Sequence, residues 1–106
     1  MVRLRDIILV TGHSNYSLVG FADGSVRVVA LTLRELSERL PGLVRIHRRY
    51  LVNPQYVQTV RTATMGRGAP GELILTTGEV LPVARRRKHQ VRNDFLLIKK
   101  NGTKTS

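Results

Sequence analysis

Residues 45–53 read Arg45-Ile46-His47-Arg48-Arg49-Tyr50-Leu51-Val52-Asn53, an alternating basic segment that runs straight into an apolar one. Side chains that alternate along an extended chain point to opposite faces, so as one central strand this stretch buries Ile46 and turns Arg45, His47 and Arg49 outward. From Tyr50 to Val52 the apolar residues are continuous, as expected of a strand covered on both sides. One end is thus anchored in a core and the other presents cations. Asn53-Pro54 closes the stretch, because proline lacks an amide donor and biases the preceding residue away from helix.

The chain around it has 106 residues, the length of one domain with a modest core. It carries 18 Lys and Arg against 7 Asp and Glu, a formal charge of +11. Such an excess on so small a domain favours a polyanion as partner, although a ribosomal-type or merely soluble basic protein shares it. No cysteine is present, which excludes disulfides, thiolate metal sites and a cysteine nucleophile. No apolar run approaches the ~20 residues that span a bilayer. Arg3 and Arg5 followed only by Ile7 to Val10 do not make a signal peptide, so a cytoplasmic location is expected.

In chain order, Ile7 to Val10 is a short β-branched run that reads as a first strand buried on both faces, followed by a polar loop, Thr11 to Asn15. Tyr16 to Phe21 and Val26 to Ala30 flank Asp23-Gly24, a pairing that predicts a hairpin with a type I′ turn. Thr32 to Leu40 is the clearest helix. Thr32 can cap its first turn while Glu35 reaches back to the cap amide, and Leu33, Leu36 and Leu40 recur on one face. Arg34, Glu35, Glu38 and Arg39 fill the rest of that helix, where they can pair with one another. Pro41-Gly42 ends it. Tyr56 to Arg61 is read as a further strand and Thr62 to Gly71, with Met65 and Arg67 near its tip, as a flexible loop. Leu73 to Thr76 and Val80 to Ala84 pair across Thr77-Gly78. Val91, Phe95 and Ile98 follow helical spacing, which predicts a C-terminal helix over about residues 86–98. One domain over residues 1–100 is expected, with a disordered polar tail over 101–106.

Two basic clusters stand out. Arg45, His47, Arg48 and Arg49 form the first; Arg85, Arg86, Arg87 and Lys88, with Arg92 beyond, form the second at the boundary between a strand and a helix. The planar fork of an arginine grips phosphates in pairs and also reads guanine O6 and N7 in the major groove. A charge run is commonly no more than a solvated face, but two clusters at the edges of one small β-rich domain favour a polyanion surface. His13, Ser14, Asn15 and Tyr16 are a third candidate, because Asn can bond two edges of adenine and Ser or Tyr can reach a phosphate. By composition alone this segment is an ordinary turn.

The run Thr32 to Val60, TLRELSERLPGLVRIHRRYLVNPQYVQTV, resembles the core signature of the LytTR DNA-binding domain, a short helix ending in Leu-Pro and then an R-x-H-R-S-Y-x-V-N strand. Gly78 to Arg86, GEVLPVARR, is similar to that family's closing G-x-x-I-P-V-S-R strand. Together they extend the resemblance over about residues 7–95. Two positions depart from the pattern: Arg49 stands where the family usually has Ser, and Ala84 where it often has Ser. Both lose a hydroxyl that could serve a phosphate, and Arg49 adds a charge that could do the same.

The resemblance implies a mainly β fold, an elongated arrangement of small antiparallel sheets with the mid-chain helix at about 32–40 and the C-terminal helix. It also implies sequence-specific binding of double-stranded DNA in a bacterial transcription regulator. In that family the loop before the second strand, here His13 to Tyr16, inserts into a DNA groove. The domain is usually joined to a phosphorylatable receiver domain of a two-component system and binds direct repeats as a dimer. No receiver sequence lies within these residues, which leaves an excised domain and a stand-alone regulator both open. The alternative reading is an RNA-binding, ribosome-associated module, but its stacking platforms would have to come from Tyr16, Phe21, Tyr50, Tyr56 and Phe95, most of which fall in apolar patterns. A third is a module that binds an acidic protein. Catalysis is not expected, since His13, His47 and His89 lack metal-ligand spacing and no nucleophile elbow, phosphate loop or dinucleotide fingerprint occurs. No metal, cofactor, membrane or small-molecule substrate is expected either.

Overall fold

In the computed structural model, residues 3–61 and 71–102 are described. Ile7–His13 forms β1 and Tyr16–Phe21 forms β2, and the two pair antiparallel around a tight turn at Ser14-Asn15. The strand runs three residues past Val10, so Thr11 to His13 belong to it and not to a loop. Their backbones pair with Leu18, Ser17 and Tyr16, and cross-strand bonding overrides their polar composition. A bulge between Ile7 and Leu9 interrupts the period of two. It puts Ile7 and Val10 into one core and directs Ile8 and Leu9 toward another, so the strand is covered on both faces as its composition predicts.

β3, Val26–Val29, follows β2. The Gly24 N–H donates to the Phe21 carbonyl at 3.0 Å and the Phe21 N–H to the Ser25 carbonyl at 2.9 Å. Gly24 takes φ +90° whereas Asp23 does not enter the positive region. The connection is therefore a type I turn followed by a left-handed glycine, in place of the predicted type I′ turn. Asp23 is kept in the ordinary region by its carboxylate, which accepts from the Ser25 N–H at 2.9 Å and the Ser25 hydroxyl at 2.6 Å. The chain repeats this device at Leu75 to Glu79, where Gly78 takes φ +94°.

Helix α1, Leu33–Arg39, starts at the predicted capping box: Thr32 Oγ1 accepts from the Glu35 N–H, and the Glu35 carboxylate accepts from the Thr32 N–H. Beyond it, the stretch that reads as one strand is two. β4, Val44–His47, and β5, Tyr50–Val52, pair antiparallel about a turn at Arg48-Arg49. No glycine, asparagine or proline marks that turn, since side chains of the hairpin itself make its bonds. β5 lies between β1 and β4 in a five-stranded sheet of order β3-β2-β1-β5-β4, and both of its faces are covered, Leu51 entering one core and Tyr50 and Val52 the other.

Pro54–Tyr56 forms a 3-10 turn, capped by Asn53, before β6, Val57–Arg61. β6 pairs with β7, Gly71–Leu75, and β7 with β8, Val80–Val83. One core lies between the five-stranded sheet and α1, around Val10, Leu36 and Leu51. The other lies on the opposite face, where Ile46 and Val52 meet Leu73, Leu75, Leu81 and Val83 of the three-stranded sheet and Val91 and Phe95 of the second helix. That helix, α2, spans Lys88–Gly102 and is preceded by a 3-10 turn at Arg85–Arg87. It begins two residues later than the spacing predicts and extends through Asn101 and Gly102, which the sequence assigned to the tail. Of the expected loop at 62–71, Gly71 belongs to β7, and the rest, with Met65 and Arg67, lies outside the described residues, as do the tail at 103–106 and the side-chain packing of Ile98. No helix among the described residues is long and apolar enough to cross a membrane.

Candidate nucleic-acid interface

Antiparallel pairing of β1 with β5 sets the geometry of the basic end. Thr11 lies opposite Tyr50, and the Gly12 N–H donates to the Arg49 carbonyl at 2.7 Å, so the Ser14-Asn15 and Arg48-Arg49 turns project from the same end of the sheet. His13, Ser14, Asn15 and Tyr16 thereby share one open cleft of about 670 Å³ with Arg45, Arg48 and Arg49. The first turn of α1 closes a side of it with Thr32, Leu33 and Arg34. Gly12 permits this approach, because a Cβ there would stand 3.1 Å from the Leu33 Cβ. Arg34, read from sequence as part of a solvated helix face, is thus a cation of the cleft. Its helical position gave no sign of which loop it would meet.

Ser14, Asn15, Tyr16, Arg48 and Arg49 are exposed, whereas His13, Arg45 and His47 are half-buried. Ser14 takes φ +50°, a left-handed conformation that sharpens the turn and lifts Asn15. The His13 and Tyr16 rings stack at 5.2 Å across it. Arg45 differs from its neighbours: its Nε donates to the His47 carbonyl at 3.0 Å and its Nη2 to the Arg48 carbonyl at 2.9 Å. His47 Nδ1 accepts from the Arg49 N–H at 3.2 Å, and its ring tilts against Tyr50 at 5.4 Å. Burial, and then the charges of Arg48, Arg49, Arg45 and Arg87, hold the His47 imidazole below its ordinary pKa. That depression and the Nδ1 acceptor describe the same neutral ring.

The second cluster reaches the first from the side. Ala84, at the end of β8, donates its N–H to the Ile46 carbonyl at 2.9 Å, which seats the Arg85–Arg87 turn beside β4. Arg87 comes close enough to weaken the charged forms of both Arg45 and His47. Arg85 and Arg86 are exposed, while Arg87 and Lys88 are half-buried. None of these four lines the cleft, so the cluster adds a flank to it and does not deepen it.

A profile of the LytTr DNA-binding domain matches residues 1–95. The chain belongs to the LytTR DNA-binding domain family. DNA binding in transcription regulation is what that family does, and an RNA-binding module is not favoured. Transcriptional regulatory protein BtsR of Escherichia coli K12 is 36% identical to this LytTR domain over 86 residues, which make up 81% of this chain and 34% of that protein. BtsR of Salmonella typhi is 35% identical over the same length. The chain therefore spans about a third of the curated relatives it matches. Among solved structures, a LytTr DNA-binding domain from Bacillus cereus superposes with a TM-score of 0.74 at 18% identity, over 87% of this chain and 83% of that one. The two-sheet, mainly β fold of this LytTR domain is thus the fold of the family.

Proposed function

We propose that this LytTR domain recognises a specific duplex DNA sequence as the output domain of a bacterial, cytoplasmic response regulator. What carries the reading is one juxtaposition, the Asn15 turn and the Arg48-Arg49 turn side by side at one basic end of the sheet. Exposed Asn15 and Arg48 are the base readers, Asn for adenine edges and Arg for guanine or a narrow groove. His13, Ser14, Tyr16 and Arg49 complete the walls, with Arg34 joining from α1, while His47 stands outside that lining and supports the Arg49 N–H. Arg85, Arg86, Arg87 and Lys88 follow the phosphate backbone on the flank, where their contacts position the domain without reading sequence. Binding to direct repeats as a homodimer on DNA, and control by a receiver domain elsewhere in a longer regulator, fit this role. We assign it no catalytic activity, cofactor or small-molecule substrate.

Selection from a random duplex library tests the proposal and yields the site. The selected duplex should outcompete scrambled duplex, single-stranded RNA and an acidic protein. Arg48→Ala and Arg85→Ala should each weaken that complex, the first with relaxed preference at one base pair and a cost of about 1–3 kcal/mol. A library that returns no preferred sequence would overturn the claim of specificity.

A further inference from the structure

The Arg48-Arg49 turn is the most basic point of the cleft, yet its backbone does not account for its shape. Hairpins with two-residue loops favour turns whose central residues take positive φ. Among the described residues that region is occupied by Ser14, Gly24 and Gly78, so Arg48 and Arg49 both make their turn at negative φ. A bulge between Arg45 and His47 distorts the ladder just before it. Such a turn would splay the strands unless something outside the backbone held it.

Arg45 supplies the hold. Its planar guanidinium reaches the carbonyls of His47 and Arg48 together, at 3.0 and 2.9 Å, so a single rigid group spans the entry to the turn. Two further backbone groups are tied by neighbours, the Arg49 N–H to His47 Nδ1 and the Arg49 carbonyl to the Gly12 N–H. Arg45 keeps this place although burial and the nearby Arg87 both disfavour its charged form, a cost that a freely solvated phosphate contact would not carry. We infer that Arg45 is a positioning residue and not a DNA contact: its guanidinium clamps the turn in the shape that presents Arg48 and Arg49 to the duplex. The inference rests on the duplex reading above for its consequence, and on hydrogen-bond geometry alone for the clamp.

The two parts are tested by separate readouts. In Arg45→Ala without DNA, amide exchange at Arg49 and Gly12 should accelerate while Val10 and Leu51, deep in the sheet, stay protected. Arg45→Lys keeps the charge but offers a compact ammonium in place of the fork, so it should fall between the parent and Arg45→Ala; it also serves if the alanine variant does not fold. With the library-selected duplex and a scrambled one, Arg45→Ala should lose discrimination on the order of tenfold and Arg45→Lys less. The slope of log affinity against log salt on the scrambled duplex should stay at the parent's value. Unchanged exchange at Arg49 and Gly12 overturns the clamp. A slope shallower by about 0.9 with discrimination intact overturns it too, since that is the mark of one lost phosphate contact. A parent that does not discriminate duplexes fails the specificity reading instead, and leaves the exchange result to decide the clamp.

Discussion

Asn53 makes the sharpest stability test, because its side chain is only 2% exposed and fully bonded. Its Nδ2 donates to the Leu4 carbonyl at 3.0 Å and the Ile7 carbonyl at 2.8 Å, while Oδ1 accepts from the Gln55 N–H at 3.0 Å. Asn53→Ala leaves the Ile7 carbonyl buried without a partner and costs the other two bonds their net value, about 2–4 kcal/mol in all. Asn53→Asp preserves the shape, so it creates no cavity, yet it turns two donors into acceptors that face two carbonyls. At neutral pH it should therefore destabilise more than Asn53→Ala. The sign with pH follows: burial and the two carbonyls raise the folded-state pKa of that Asp above its unfolded value. Its penalty relative to the parent should then shrink as pH falls through the folded pKa toward the unfolded one, about 3.9, because a protonated Asp can donate once. Thermal melts at several pH values measure both effects, with a shift of about 4–8 °C per kcal/mol for a domain of this size. An Asp variant that melts with the parent at pH 7, or above the alanine variant, would refute the reasoning.

Leu36→Ala should cost roughly 2–5 kcal/mol and Val52→Ala somewhat less through cavity formation; at temperatures where both remain folded, gel-shift or anisotropy titration should show duplex binding retained. Parent binding should follow a slope of about −4 to −5 in log affinity against log salt, reflecting four to six phosphate contacts, and Arg86→Ala should make it shallower by about 0.9 while weakening all duplexes alike. His47, held below its ordinary pKa in the folded state, contributes stability that is present above pH ~6.5 and lost as pH falls through its folded value. Melting temperature should drop in that acid window, and the drop should diminish in His47→Gln.

What the sequence revealed was local. The capping box at Thr32 and Glu35 and the hairpin at Asp23-Gly24 are each made by residues a few positions apart, so their signals survive without the fold. The Arg48-Arg49 turn carries no such signal, since its bonds come from the Arg45 side chain, and the stretch around it reads as one continuous strand. The recognition pattern within that stretch identified the family nonetheless. Asn53 was legible as the end of a strand but not as the tie to Leu4 and Ile7, which lie 49 and 46 positions away. The cleft was legible only as two separate clusters: joining them requires β1 to pair with β5, and placing Arg34 beside them requires α1 to pack on Gly12.

That same pairing bears on how the chain folds. β1, β2 and β3 are consecutive hairpins that can close as soon as they are made, but the other edge of β1 waits for β5, with Leu51 arriving opposite Val10. Bringing Asn53 to Ile7 closes a span of 46 positions at an entropic cost of about 2 kcal/mol beyond that of a loop of about four residues. Until then the N-terminal meander carries an open, apolar strand edge, the kind of surface on which chains pair with one another. Folding speed and the tendency to misassemble are accordingly governed by the same event, the insertion of Tyr50 to Val52 beside β1. Substitutions that slow this insertion should raise aggregation during synthesis even where the finished domain is stable.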